Sequence, residues 1–114
     1  MSNINNGLMT KIWGPCAWEF LHSVTFGFPI EPSEDQKNNY MIFFKTIKDI
    51  LPCRYCRDSY SDFIVTEPTI LDINVLESRD SLIKWFYEIH ERVNIKLGVT
   101  YETTLVDVKT RFES

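Results

Sequence analysis

Long apolar runs are missing from this sequence. Its hydrophobic stretches end after a handful of residues, far short of the ~18 needed to span a bilayer, so no membrane-crossing helix is expected. Basic residues are also in deficit, with 12 Lys and Arg against 16 Asp and Glu and a net charge of −4. That balance argues against a nucleic-acid footprint built on a basic face. Four glycines and five prolines are too scattered to form a linker, and there is no repeat or low-complexity segment. Three cysteines are too few for a secreted disulfide scaffold. The opening stretch, Met1 to Gly7, has neither the charged nor the apolar region of a signal peptide, nor the Arg-rich pattern of a transit peptide. A cytosolic address is the resulting expectation.

What is present fits one globular unit. The 114 residues match the length of a single domain and suffice for a core without staples. Hydrophobic residues are 44% and charged residues 25%, the balance of a folded rather than a disordered chain. Aromatics are abundant, with three Trp, five Tyr and eight Phe.

The patterning is helical. Residues 1–12 are polar and read as a loose N-terminus, with residues 13–114 as the domain. A first helix is expected from Trp13-Gly14-Pro15, where Pro suits the first helical position. Ala17, Phe20, Leu21 and Val24 then recur at helical spacing. Ser33-Glu34-Asp35-Gln36 is a capping box in sequence. It opens a second helix with Tyr40, Phe43, Phe44, Ile47 and Leu51 on one stripe, stopped or bent by Pro52. A third helix opens at Cys53, with Tyr60, Phe63 and Ile64 on one face. Residues 69–77 read as a loop. Leu82, Phe86, Ile89, Val93 and Leu97 define a fourth helix, with Gly98 at its C-terminal stop. From Tyr101 to Phe112 the spacing of Leu105, Val108 and Phe112 fits a short helix, while Thr103-Thr104-Leu105-Val106 has strand propensity. Four helices with short connections predict an all-α antiparallel bundle.

The chemistry-bearing feature is Cys53-Arg54-Tyr55-Cys56. A C-x-x-C at a helix N-terminus suits thiol–disulfide exchange, because unpaired N–H groups and the helix dipole favour a thiolate. The same spacing also suits half of a zinc site or two inert cysteines, and spacing alone leaves these open. His90 and Asn94 share a face of the fourth helix with Phe86, and His22 follows Trp18 by one turn on the first. Each is compatible with a satisfied histidine at a solvated edge; together they describe two helix faces able to line a cofactor. Cys16 has no spaced partner and reads as a buried small hydrophobe.

Four segments resemble one family. Trp13-Gly14-Pro15-Cys16-Ala17-Trp18-Glu19-Phe20-Leu21-His22 is similar to the W-G-P-x-x-W-x-x-L-H opening of the Erv/ALR FAD-linked sulfhydryl oxidases. Pro29 to Gln36 resembles their P-x-x-P-S/T-x-x-Q segment, and Leu51-Pro52-Cys53-Arg54-Tyr55-Cys56 their redox centre. His90-Glu91-Arg92-Val93-Asn94-Ile95-Lys96-Leu97-Gly98 resembles H-N-x-V-N-x-x-L-G. The segments stand in family order and reach over residues 13–112. The short chain is most similar to minimal versions encoded by large DNA viruses.

The resemblance implies a four-helix bundle with a short fifth helix, FAD held at one end, and a homodimer. It implies oxidation of protein dithiols by O2 to give disulfides and hydrogen peroxide. By match, Cys56 faces the flavin and Cys53 exchanges with substrate. Trp13, Gly14, Trp18, His22, Phe28, Trp85, His90, Val93, Asn94 and Lys96 are the expected FAD-lining residues.

The chain also departs from the family pattern. Glu91 stands where Asn is usual. Many members carry a disulfide across the fourth and fifth helices; the aligned positions here are Tyr87 and Thr104, so that staple is absent. There is no second dithiol, so substrate would meet Cys53 directly or through a partner's cysteines. The reading from a different class is a non-enzymatic zinc-stapled module, with Cys53 and Cys56 joined by two of Cys16, His22 and His90. A thioredoxin-like reductase fails for want of βαβ alternation. A host cytoplasm suits a viral oxidase; the mitochondrial intermembrane space is the alternative.

Overall fold

The computed structural model describes residues 10–100 and 102–113. Five α-helices follow in order: α1 Thr10–Phe26, α2 Glu34–Ile50, α3 Arg54–Phe63, α4 Arg79–Leu97 and α5 Leu105–Phe112. A short 3-10 helix, Ile73–Leu76, lies between α3 and α4. The described residues contain no strand, in agreement with the all-α expectation. None of their helices is long and apolar enough to cross a membrane.

Helix α1 starts at Thr10 rather than Trp13, so Pro15 lies inside it and residues 10–12 are helical rather than loose. Residues 1–9 lie outside the described residues. The buried face of α1 carries Gly14, His22 and Thr25, with Trp18 and Leu21 packed against the core. Phe20, expected on the apolar stripe, is instead 62% exposed. Cys16 is exposed as well, which corrects its reading as a buried residue: it follows Ile12 and precedes Phe20 by one turn each, on the outward side.

The second helix follows its sequence signals closely. Ser33 caps α2: its hydroxyl accepts the Gln36 N–H at 3.1 Å, and the Gln36 side chain accepts the Ser33 N–H at 2.8 Å. Glu34 and Asp35 sit in the first turn and Lys48 in the last, matching the helix dipole. The helix ends at Ile50, with Leu51 as C-cap, because Pro52 cannot supply the next backbone N–H.

Helix α4 is capped by Ser78 and closed by Gly98 in the left-handed region at φ 72°. Glycine adopts that conformation without the Cβ clash other residues meet. The ambiguous tail resolves as α5, where Thr104 and Asp107 form a reciprocal cap. That local cap overrides the strand propensity of Thr103 to Val106. The expected loop at 69–77 contains the 3-10 helix, capped by Asp72.

Helix α4 is central: it contacts α1, α3, α5 and the 3-10 helix, while α2 packs on α3 and the 3-10 helix. Phe44, Leu82 and Phe86 are fully enclosed at the centre. Several polar groups in and around the core are tied in. The Trp85 indole N–H donates to the Thr69 carbonyl at 2.8 Å, and the Tyr60 hydroxyl donates to the Phe44 carbonyl. Arg92 donates to the Thr69 and Thr66 hydroxyls at 2.8 and 3.0 Å, with its guanidinium 4.3 Å from the Phe63 ring centre. Helix α5 closes over α1 through Arg111 and Glu19 at 2.6 Å and the stacked rings of Phe112 and Phe26.

Candidate active site

A cavity of about 390 Å³ opens between α1, α3 and α4, with Ile47 and Leu51 from the end of α2. Its wall is almost wholly apolar, and its size falls in the range of small-molecule sites, ~300–1,000 Å³. Helix α1 supplies Trp13, Gly14 and Trp18, and α4 supplies Phe86, Val93 and Lys96. Cys53 and Cys56 lie on the same wall.

The dithiol sits where α2 hands over to α3. Cys53 is the N-cap of α3, and its Sγ accepts the Cys56 N–H at 3.2 Å. A sulfur thus does the capping work usually given to Ser, Thr, Asp or Asn. Both cysteines are half-buried and in the free-thiol form. Burial, then the hydrogen bond and charge of Cys53, push the Cys56 thiol up to about 12; the Arg57 cation works the other way.

Lys96 bridges from α4 to α3. Its Nζ donates to the Ser59 hydroxyl at 2.9 Å and lies 5.2 Å from the centre of the Tyr55 ring. Among the described residues it forms no ion pair with a carboxylate. An apolar wall carrying one unneutralised cation suits a ligand with a flat apolar part and an anionic part.

Beside the cavity, the Trp18 ring stacks on His90 at 3.7 Å between centroids, 8° from parallel. His22 Nε2 and His90 Nδ1 share a hydrogen bond at 3.0 Å. Burial, aided by the Arg111 charge, lowers His22 to about 4, and burial, aided by His22, lowers His90 to about 3. Both rings are therefore neutral near pH 7. His22 Nδ1 is buried without a hydrogen-bond partner among the described residues, an unmet polar demand beside the cavity.

The structure separates the expected lining residues. Cys53, Cys56, Trp13, Gly14, Trp18, Val93 and Lys96 share the cavity wall. His22 and His90 stand behind Trp18 rather than on the wall. Asn94 is half-buried, off the wall, and its carbonyl receives the Val99 N–H at the end of α4.

Phe28 and Trp85 belong to the core rather than the cavity. The Phe28 ring packs on Tyr40 at 4.5 Å and its carbonyl accepts from Arg79, while Trp85 faces Thr69 and Phe44. The zinc alternative finds no ligand set, since no group of three or more His, Cys, Asp or Glu side chains converges among the described residues. The two histidines bond each other instead of turning to the cysteines.

Sequence reasoning missed Tyr55, Ser59, Tyr60 and Phe63 as cavity residues. The helical spacing of Tyr60 and Phe63 marked a buried face, but an apolar face carries no sign of whether it meets protein or ligand. Ser59 had no signal apart from its position three residues after Cys56.

Comparison with known proteins matches this arrangement. The profile of the Erv1/Alr family covers residues 15–113. The chain is 42% identical over 86 residues to a protein of Acanthamoeba polyphaga mimivirus named "Probable FAD-linked sulfhydryl oxidase R368", covering 75% of this chain and 59% of that one. It is 33% identical over 85 residues to the mitochondrial FAD-linked sulfhydryl oxidase ERV1 of Saccharomyces cerevisiae, covering 74% and 42%. The chain thus spans about half the length of these two relatives. The crystal structure of the FAD-binding domain of yeast Erv1 superposes with a TM-score of 0.81 at 26% identity, covering 93% of this chain and 95% of that one. With its fold, its capped dithiol and a profile match over most of its length, the chain belongs to the Erv1/Alr family.

Proposed function

We propose that this protein is an FAD-dependent sulfhydryl oxidase that forms disulfides in protein substrates. The observation that carries the reading is the placement of Cys53 and Cys56 on one apolar cavity with Trp13, Gly14, Trp18, Val93 and Lys96. The residues fit the cofactor. The aromatic and aliphatic wall suits a flat ring system, Lys96 offers a cation for an anionic part, and His22 Nδ1 is a buried polar atom in want of a partner. Gly14 is buried on the wall, and a Cβ there would come within 3.3 Å of Thr10 Cγ2, which must shift slightly to admit it. When bound, FAD supplies the two-electron acceptor that passes electrons on to O2.

The net reaction is 2 R–SH + O2 → R–S–S–R + H2O2. With the pair as a disulfide, a substrate thiolate attacks Cys53 Sγ, and Cys56 leaves with the electron pair of the broken S–S bond. A second substrate thiol then displaces Cys53, releasing the substrate disulfide and leaving the pair reduced. Cys53, as the cap of α3, stays at the mouth of the turn, and Cys56 lies within the first helical turn. Trp18, stacked on His90, and His22, hydrogen-bonded to His90, form a neutral block that holds the wall in shape and excludes water. Lys96, fixed by Ser59, holds its ammonium group at the cavity.

The assembly in this reading is a homodimer. Ile12 and Phe20, 66% and 62% exposed on the outer side of α1, suit burial against a second copy. The viral relative supports a host-cytoplasm address, and the yeast relative, named as mitochondrial, supports the intermembrane space as the alternative. The test is an absorbance spectrum of the purified protein followed by a peroxide assay with a dithiol. A yellow protein that makes one peroxide per disulfide supports the reading; a colourless protein that makes none overturns it.

A further inference from the structure

Arg57 directly follows the dithiol and performs two tasks at its turn. Its Nη1 donates to the Leu51 carbonyl at 2.6 Å, and its backbone N–H donates to the Cys53 carbonyl at 2.9 Å. Leu51 is the last residue of the α2 cap, and Pro52 has no N–H to offer. The backbone bond is the first i→i−4 bond of α3, and the side-chain bond ties that turn back across Pro52 to the Leu51 carbonyl. A cation at the carbonyl end of α2 also complements that helix's dipole. Among the described residues Arg57 forms no ion pair with a carboxylate, so its charge is not neutralised beside the cysteines.

We infer that Arg57 is a positioning residue of the dithiol: its guanidinium, bonded to the Leu51 carbonyl, holds Cys53 at the cap of α3, and its free charge assists departure of the Cys56 thiolate when Cys53 is attacked. The inference rests on the thiol-exchange chemistry of the proposed oxidase. Attack by a thiolate forms a bond to Cys53 Sγ and breaks the Cys53–Cys56 bond. The electron pair leaves on Cys56, which later takes a proton from water. Such exchange speeds up as the leaving thiolate becomes more stable. Burial makes the Cys56 anion unfavourable here, and Arg57 is the side-chain cation that counters it. Lysine is no equivalent, because an ammonium is a point charge without the planar fork.

The test is the rate at which dithiothreitol reduces the oxidised Cys53–Cys56 pair without air, read by alkylation and mass spectrometry in a Cys16→Ala background. Arg57→Gln should slow reduction by about tenfold. Arg57→Lys, which keeps charge without the fork, should fall between the two. Melting temperature is recorded for each variant, and the Lys variant stands in if the Gln variant does not fold. A Gln variant that exchanges within twofold of the parent, or a Lys variant no faster than the Gln variant, overturns the inference. Reduction by dithiothreitol needs no flavin. A protein that carries none therefore fails the oxidase reading while the Arg57 rates still decide this one.

Discussion

The Tyr87 hydroxyl on α4 donates to the Thr103 carbonyl at 2.6 Å, just ahead of α5. This is the place where the sequence resemblance puts a disulfide in many relatives and finds Tyr87 and Thr104 here. A hydrogen bond, with the Lys109–Asp80 pair at 3.4 Å, now joins α5 to α4. The junction therefore does not respond to thiols. Tyr87→Phe should lower stability by about 1 kcal/mol. The melting temperature of either protein should change little when a reductant is added. A large reductant-induced drop in the parent would contradict the substitution of bond for staple.

Cys16 stands exposed on the outward side of α1, off the cavity wall that holds the dithiol. Cys16→Ala should keep most dithiol oxidation, within about twofold. A loss beyond tenfold with cofactor still bound would give Cys16 a redox role that its position does not suggest.

The His22–His90 pair sets a pH response. Both pKa values lie below the ordinary 6.5, at about 4 and about 3, so the folded protein binds fewer protons than the unfolded chain in the interval between. Stability then rises with pH across that window. The contribution is full above about 6.5, falls as the pH drops toward about 4 and levels off near 3. Carboxylates titrate in the same range, so the paired variant His22→Asn/His90→Asn is the control. Thermal melts from pH 7 to 4 should show a shallower decline in the variant, and parallel declines would contradict the assignment.

The fold was legible where local chemistry decides it. The Ser33 box, Pro52 and Gly98 act within a few residues, and each marks its helix end as expected. The start of α1 was not legible, because Trp13-Gly14-Pro15 resembles a helix start and nothing before it signals a cap. The candidate site was half legible. The C-x-x-C and the Trp18, His22 and His90 positions stand out in sequence and Lys96 enters through the family resemblance, while Phe28 and Trp85 do not differ in type from cavity aromatics. Which aromatic faces a void is settled by long-range packing, such as Trp85 meeting Thr69 and Phe44. Arg57 was invisible because its partner is a backbone carbonyl, which the sequence of side chains does not encode.

Lys96 is held by a neutral hydroxyl and aromatic faces rather than by a carboxylate. Its charge is free to meet an anionic ligand. Lys96→Met should weaken FAD affinity by about tenfold, or about 1.4 kcal/mol, as read by quenching of flavin fluorescence. Ser59→Ala should have a smaller effect of the same sign. Undiminished affinity in Lys96→Met would place the anionic part of the ligand elsewhere.

The central claim is that electrons pass from the Cys53–Cys56 pair to a flavin in the adjoining cavity. Anaerobic addition of dithiothreitol to the purified protein, followed through the visible flavin absorbance, tests it most directly. The parent should bleach within the time of turnover and regain colour on admission of air, whereas Cys53→Ser and Cys56→Ser should fold, hold flavin and stay yellow. A parent that stays yellow under the same treatment, or serine variants that bleach as fast as the parent, would contradict the claim.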